Sequence, residues 1–147
     1  MNTNQILQEF FQNNTLMQLA TQGDGRLWVC NVYFATDDQF NIYWTSARNR
    51  RHSKEIEANP YCAATIVNDP KKKQAVQVSG KAYRVSLADS PDAHQIYGKK
   101  LGQKNSRLKD VQGNTPESRA YWVLKPDFIE LWDEVNFPEA PKQRVAI

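Results

Sequence analysis

The most constraining feature of the chain is a tight-turn signal set between two apolar runs. Thr15 to Gln22 carries Leu16, Met17, Leu19 and Ala20, and Leu27 to Thr36 is almost continuously apolar and aromatic. Between them lies Gly23-Asp24-Gly25-Arg26. Asp-Gly favours a two-residue hairpin because glycine tolerates positive φ. A chain that opens this way builds antiparallel strands. Asp37-Asp38-Gln39 turns it again, and Phe40 to Thr45 reads as a third strand with Phe40, Ile42 and Trp44 on one face. Residues 15 to 45 therefore read as a three-stranded meander. The apolar character of residues 27 to 36 implies burial on both faces, as in a barrel wall or a dimer contact.

Further elements follow from local signals. Ile6, Leu7, Phe10 and Phe11 stand at helical spacing, so a short amphipathic helix precedes the strands and ends at Asn13-Asn14. Residues 46 to 60 read as a loop and a short helix that stops near Asn59, because Pro60 disfavours helical geometry before it. Tyr61 to Val67 and Gln74 to Ser86 read as strands, with Gly80 marking a bulge or bend. Ser90-Pro91 starts a helix as N-cap and first helical residue, and Gly102 ends it. Residues 103 to 118 are polar and give no clear pattern. Ala120 to Leu124 and Phe128 to Trp132 read as two strands parted by Lys125-Pro126-Asp127, and the tail from Glu134 reads as extended. There is no βαβ rhythm. The expectation is one domain over residues 1–147: mainly β, a six-to-seven-stranded antiparallel split barrel with short peripheral helices.

Composition removes several classes. The chain has 147 residues with 40% hydrophobic and 24% charged, enough for one core. No run approaches the ~18 apolar residues of a membrane span. Met1 to Asn14 has neither the basic start nor the apolar run of a secretory signal. Two cysteines, Cys30 and Cys62, sit in strand-like runs and read as reduced core residues of a cytoplasmic protein. His52 and His94 are the only histidines and make no spaced ligand set with the cysteines, so no metal site is expected. No Gly-x-Ser-x-Gly, Walker loop or Gly-x-Gly-x-x-Gly occurs.

One segment breaks a local rule. Helix N-termini favour acidic residues, because the first-turn amides present partial positive charge. Here Arg50, Arg51 and His52 stand at the start, Arg48 lies just upstream, and Glu55 and Glu57 come later. An anion at that terminus would remove the conflict, since phosphate gains backbone N–H donors and the dipole together. Arginine adds planar donors, and Thr45, Ser46 and Ser53 add hydroxyls. The alternative is a set of arginines fanned into solvent.

Three stretches carry a resemblance. Ile42-Tyr43-Trp44-Thr45 followed by Arg51-His52-Ser53-Lys54-Glu55-Ile56-Glu57-Ala58-Asn59-Pro60 is one, Val76-Gln77-Val78-Ser79-Gly80-Lys81-Ala82 the second, and Ile129-Glu130-Leu131-Trp132 the third. Together, over residues 15 to 133, they resemble the pyridoxamine 5'-phosphate oxidase-like family of FMN-binding split barrels, in its small bacterial branch. The resemblance implies FMN held at the interface of a homodimer, with residues from both chains. Arg51 and His52 stand where the family's Arg-Lys pair grips the FMN phosphate. Trp44 and Thr45 match its Tyr-Thr, with Ser46 following. Asn31 and Val32 lie on the strand facing the isoalloxazine, Gln74 sits near a flavin-contacting Gln, and Trp132 matches the closing Trp. The family's strand-two Arg falls near Val29, which leaves Arg48 or Arg50 to supply the missing cation, and the loop after Thr45 leaves Arg50 against Arg51 open.

The implied function is an FMN-dependent oxidoreductase of unknown substrate and reductant. The flavin would supply the redox chemistry and the protein binding and orientation. The pyridoxal phosphate-handling Arg-Leu-x-x-Arg segment has no match in Lys142-Gln143-Arg144-Val145-Ala146-Ile147, so pyridoxamine phosphate oxidation itself is not expected. A flavin storage or sensing protein without turnover, or a haem or deazaflavin binder on the same fold, are sibling readings. From another class, Arg48, Arg50, Arg51, Lys71 to Lys73, Lys99, Lys100 and Lys104 interleave with aromatics as in a single-stranded nucleic-acid-binding barrel. Nucleic acid is the weaker reading, because a net charge of +3 does not by itself indicate it.

Overall fold

The computed structural model describes residues 1–147. Helix α1 (Thr3–Asn13) is opened by a capping box, in which Asn2 and Gln5 exchange side-chain and backbone hydrogen bonds. It buries Ile6, Leu7, Phe10 and Phe11. Strands β1 (Leu16–Gly23) and β2 (Arg26–Tyr33) form the expected hairpin. Asp24 and Gly25 both take positive φ, 53° and 72°, which suits a turn that follows the strand twist. Strand β3 (Ala35–Thr36), β4 (Ile42–Ala47), α2 (Arg51–Ala58) and β5 (Tyr61–Val67) follow. A short 3-10 turn at Pro70–Lys72 leads into β6 (Gln74–Arg84). Then come α3 (Ser90–Leu101), α4 (Asn105–Gly113), β7 (Arg119–Asp133) and β8 (Lys142–Val145).

All ladders are antiparallel, in one sheet of order β2-β1-β5-β6-β7-β4-β3, with β8 on β7. The mainly β split-barrel expectation holds, but the meander does not. β2 and β4 are not paired: β2 is an edge on β1, while β4 pairs with β7 from Ile42↔Leu124 to Ala47↔Arg119. After Phe34 the chain leaves one side of the sheet and joins the other through β3. Phe40 lies outside β4, at φ 65°, in a turn held by Asp37 Oδ1, which accepts from the Gln39 and Asn41 N–H groups at 2.9 and 3.0 Å. Burial of its ring against Phe11, 6.1 Å between centroids, offsets the cost of that conformation.

The two strands expected at residues 120–124 and 128–132 are one strand, β7. Pro126 interrupts the ladder only locally, because a bulge at Ser79/Gly80 skips Asp127 in the register. A Cβ on Gly80 would overlap the Lys125 carbonyl and lie 2.9 Å from Pro126 Cα. Bulge and glycine therefore belong together, and they let the long strands bend around the core. Asp89, not Ser90, is the N-cap of α3; Ser90 Oγ instead donates to the Ser86 carbonyl at 2.8 Å. Gly102 ends that helix at φ 69°, as expected. The polar stretch from residue 103 forms α4, and part of the tail forms β8.

The barrel core contains Trp44, Trp122, Leu19, Ile66 and Ile129, and α1 closes it with Leu7 and Phe11. Outside the barrel, α3 and α4 pack on Ala35 and Tyr121 through Ala93, Tyr97 and Val111. Lys100 of α3 donates to the Phe11 carbonyl at 2.7 Å and also to that of Asn14, which satisfies the end of α1. Cys30 and Cys62 are free thiols. No helix is long and apolar enough to cross a membrane.

Candidate functional site

Because β2 and β4 are unpaired, the sheet leaves a cleft between them. Its volume is about 490 Å3, and its walls come from β2, β4, the start of α2, Tyr97 of α3 and Arg119 of β7. Asn31, Val32, Thr45, Ser46, Arg50, Arg51 and His52 all line it. Trp44 does not: alternation along β4 turns it into the core, fully buried. Gln74 and Trp132 lie elsewhere. Gln74 Nε2 donates to Asp133 Oδ2 at 3.0 Å, and Trp132 stands opposite Ala75, partly exposed.

The floor of the cleft is the start of α2. Its N-cap is Arg50, which makes no side-chain cap hydrogen bond, and its first turn holds no acidic residue. A helix of this kind forgoes the roughly 1 kcal/mol that Ser, Thr, Asp or Asn supplies as N-cap. Beside it, Thr45 Oγ1 and Ser53 Oγ are buried with no hydrogen-bond partner. Buried polar atoms are normally paired; of the two residues only Thr45 lines the cleft, and with the uncapped helix start it marks a place suited to an anion.

The three basic residues at this terminus differ. Arg50 is exposed and makes no ion pair. Arg51 Nε lies 3.2 Å from Glu55 Oε2, and its guanidinium stands 4.2 Å over the Trp28 ring. Glu55 in turn accepts from Thr21 Oγ1 at 2.7 Å, which ties α2 to β1. His52 is buried, with Nε2 2.8 Å from Ser46 Oγ. Burial, and then the Arg50 charge, push its pKa below the usual histidine value, against a weaker pull from Glu55. At neutral pH it is an uncharged strut between β4 and α2. Arg48 is turned away, donating to Asn114 Oδ1 at 3.1 Å.

Trp28, Tyr97 and Arg119, which carry no signal in the sequence, also line the cleft, as does Cys30, which is half-buried there rather than a core residue. Burial, with Glu55 adding to it, pushes the Cys30 thiol pKa up, the direction that disfavours the thiolate. Arg119 Nη2 donates to the Thr45 carbonyl at 3.1 Å. Its pKa is lowered by burial first and by Arg107 second. Lys71 to Lys73, Lys99, Lys100 and Lys104 are not in the cleft. His94 lies behind it, with Nδ1 2.6 Å from Tyr121 Oη. No group of three or more His, Cys, Asp or Glu residues could hold a metal ion.

A family model for pyridoxamine 5'-phosphate oxidase matches residues 4–133. The chain belongs to that family. Pyridoxine/pyridoxamine 5'-phosphate oxidase of Pseudomonas putida (strain W619), a curated relative, is 28% identical over 142 residues, spanning 79% of this chain. The chain spans 65% of that relative's length. Among solved structures, the putative pyridoxamine 5'-phosphate oxidase of Listeria innocua superposes with TM-score 0.70 at 14% identity, over 88% of this chain and 98% of its own. HutZ, the haem storage protein of Vibrio cholerae, superposes with TM-score 0.69 at 21% identity, over 90% and 95%. The fold is thus shared by a protein described as a putative oxidase and one described as a haem storage protein.

Proposed function

We infer that the chain binds flavin mononucleotide in the cleft between β2 and the start of α2, as a homodimer, and acts as a flavin-dependent oxidoreductase. The observation that carries this reading is the buried, unpartnered Thr45 Oγ1 beside an uncapped, carboxylate-free helix start flanked by Arg50. That set suits the phosphate end of the cofactor, with the cleft between β2 and β4 left for the ring. When bound, the flavin supplies the redox chemistry itself. The chain's own residues bind and orient: the α2 amides and Arg50 hold the anion, and β2 from Cys30 to Val32 forms a wall for the planar system. No acid–base pair is required of the protein for that role.

The dimer accounts for two further features. Strand β2 is an edge whose apolar side chains are exposed, Leu27 at 81%, Val29 at 59% and Tyr33 at 61%. An exposed apolar edge invites pairing with a second copy. A second copy would also bring its own Gln74 and Trp132 surface within reach of a site that they do not line in one chain.

The rival reading is a haem binder, favoured by the likeness to the haem storage protein of Vibrio cholerae. Against it, His94 does not line the cleft, and His52, which does, is buried with Nε2 against Ser46 Oγ. Absorption of the purified protein, with mass spectrometry of the small molecules it releases, decides between them. Flavin bands and a released FMN mass are expected; a Soret band with haem released would replace this reading.

A further inference from the structure

Arg119 is placed by pairing across the barrel rather than by the helix start. It opens β7 opposite Ala47, and its donation to the Thr45 carbonyl at 3.1 Å holds the guanidinium beside Thr45. Its Nε is buried with no partner. None of the ion pairs of the chain, Arg51–Glu55, Lys73–Glu134 and Arg84–Glu57, involves it. The charge of Asp110 on α4 acts on Arg119 without an ion pair, and its Oδ2 accepts the backbone N–H of Arg119 at 3.0 Å. Arg107 of α4 adds to the imbalance, with its Nη1 also buried and unpartnered. Val29, exposed on β2, brings no charge to the cleft.

Two partly buried guanidiniums with unpaired nitrogens and no carboxylate on either are unfavourable for the chain alone. Arginine's planar donors match a phosphoryl group, which accepts several hydrogen bonds at once. Thr45 connects the two groups: its carbonyl accepts from Arg119, and its buried hydroxyl, without a partner, belongs to a residue that lines the same cleft.

We propose that Arg119 is a phosphate-binding residue of this cleft, gripping the phosphoryl group of the ligand together with Thr45 Oγ1 and the first-turn amides of α2. The proposal rests on the flavin reading only for the identity of the molecule that carries the phosphate. It makes Arg119 the residue that selects a phosphorylated ligand over its dephosphorylated counterpart.

The test compares the native protein with Arg119→Gln, which keeps a donor for the Thr45 carbonyl and removes the charge. FMN and riboflavin affinities are measured by fluorescence titration, and inorganic phosphate is tested for thermal stabilisation. The native protein should prefer FMN over riboflavin at least tenfold. The variant should lose at least tenfold in FMN affinity with riboflavin affinity unchanged, and its phosphate stabilisation should vanish. Unchanged FMN affinity, or equal losses for both flavins, would overturn the role of Arg119. If the native protein binds neither flavin but phosphate still stabilises it through Arg119, the phosphate site stands and the flavin reading fails. If phosphate has no effect either, both fall. Should Arg119→Gln not fold, phosphate protection of native Arg119 from phenylglyoxal, mapped by mass spectrometry, takes its place; equal labelling with and without phosphate overturns the proposal.

Discussion

His52 Nε2 sits 2.8 Å from Ser46 Oγ, and this contact fixes the first turn of α2 against β4. Both residues are buried, so the start of the helix is held by a neutral hydrogen bond rather than by charge. Ser46→Ala leaves a buried imidazole nitrogen unpaired. It should destabilise the protein by about 1–3 kcal/mol, read from denaturant unfolding. An unchanged midpoint would show that the contact does not hold the turn.

The same histidine predicts a pH dependence. Its folded pKa lies below the unfolded value of about 6.5. Between the two values the unfolded chain takes up the proton and the folded chain does not, so stability falls as pH drops below about 6.5 and is unaffected above it. Unfolding measured across that range should show a smaller loss in His52→Gln than in the native protein. Identical slopes would contradict the assignment.

Gly80→Ala should be among the most damaging single changes in the barrel wall. The added Cβ meets backbone, the Lys125 carbonyl and Pro126 Cα, which cannot rotate aside. A loss of about 3 kcal/mol or failure to fold is expected. Normal stability would mean that the bulge at Ser79/Gly80 accommodates a side chain.

The local signals that sequence reads well are those whose cause is local. Asp24-Gly25 gave its hairpin because two adjacent residues must take positive φ, and Pro60 marked the end of α2. Partner choice was not legible. β2 and β4 look like neighbours in a meander, yet Ile42 to Ala47 pair with Leu124 to Arg119, far along the chain. Pro126 looks like a break because its tolerance depends on Gly80, a residue on another strand. The candidate site divides in the same way. The arginines of α2 stood out because they contradict the helix dipole. Arg119 is not visible in the sequence, because only the β4–β7 register brings it beside Thr45. Trp44 enters the site only through the family resemblance, although its alternation with Ile42 already puts it on the apolar face of β4.

Val29→Lys tests the apolar edge. A charge at the exposed centre of β2 leaves the monomer fold untouched while opposing association. Sedimentation at micromolar concentration should show a dimer for the native protein and a monomer for the variant, with at least tenfold weaker FMN binding. A native monomer that binds FMN tightly would contradict the shared site.

The central claim is that the start of α2 holds an anionic cofactor tail. FMN titration of the native protein against Arg50→Ala/Arg51→Ala tests it most directly, because charged hydrogen bonds contribute about 1.5–3 kcal/mol each. A loss of at least tenfold in affinity is predicted. Equal affinity of the two proteins for FMN would contradict it.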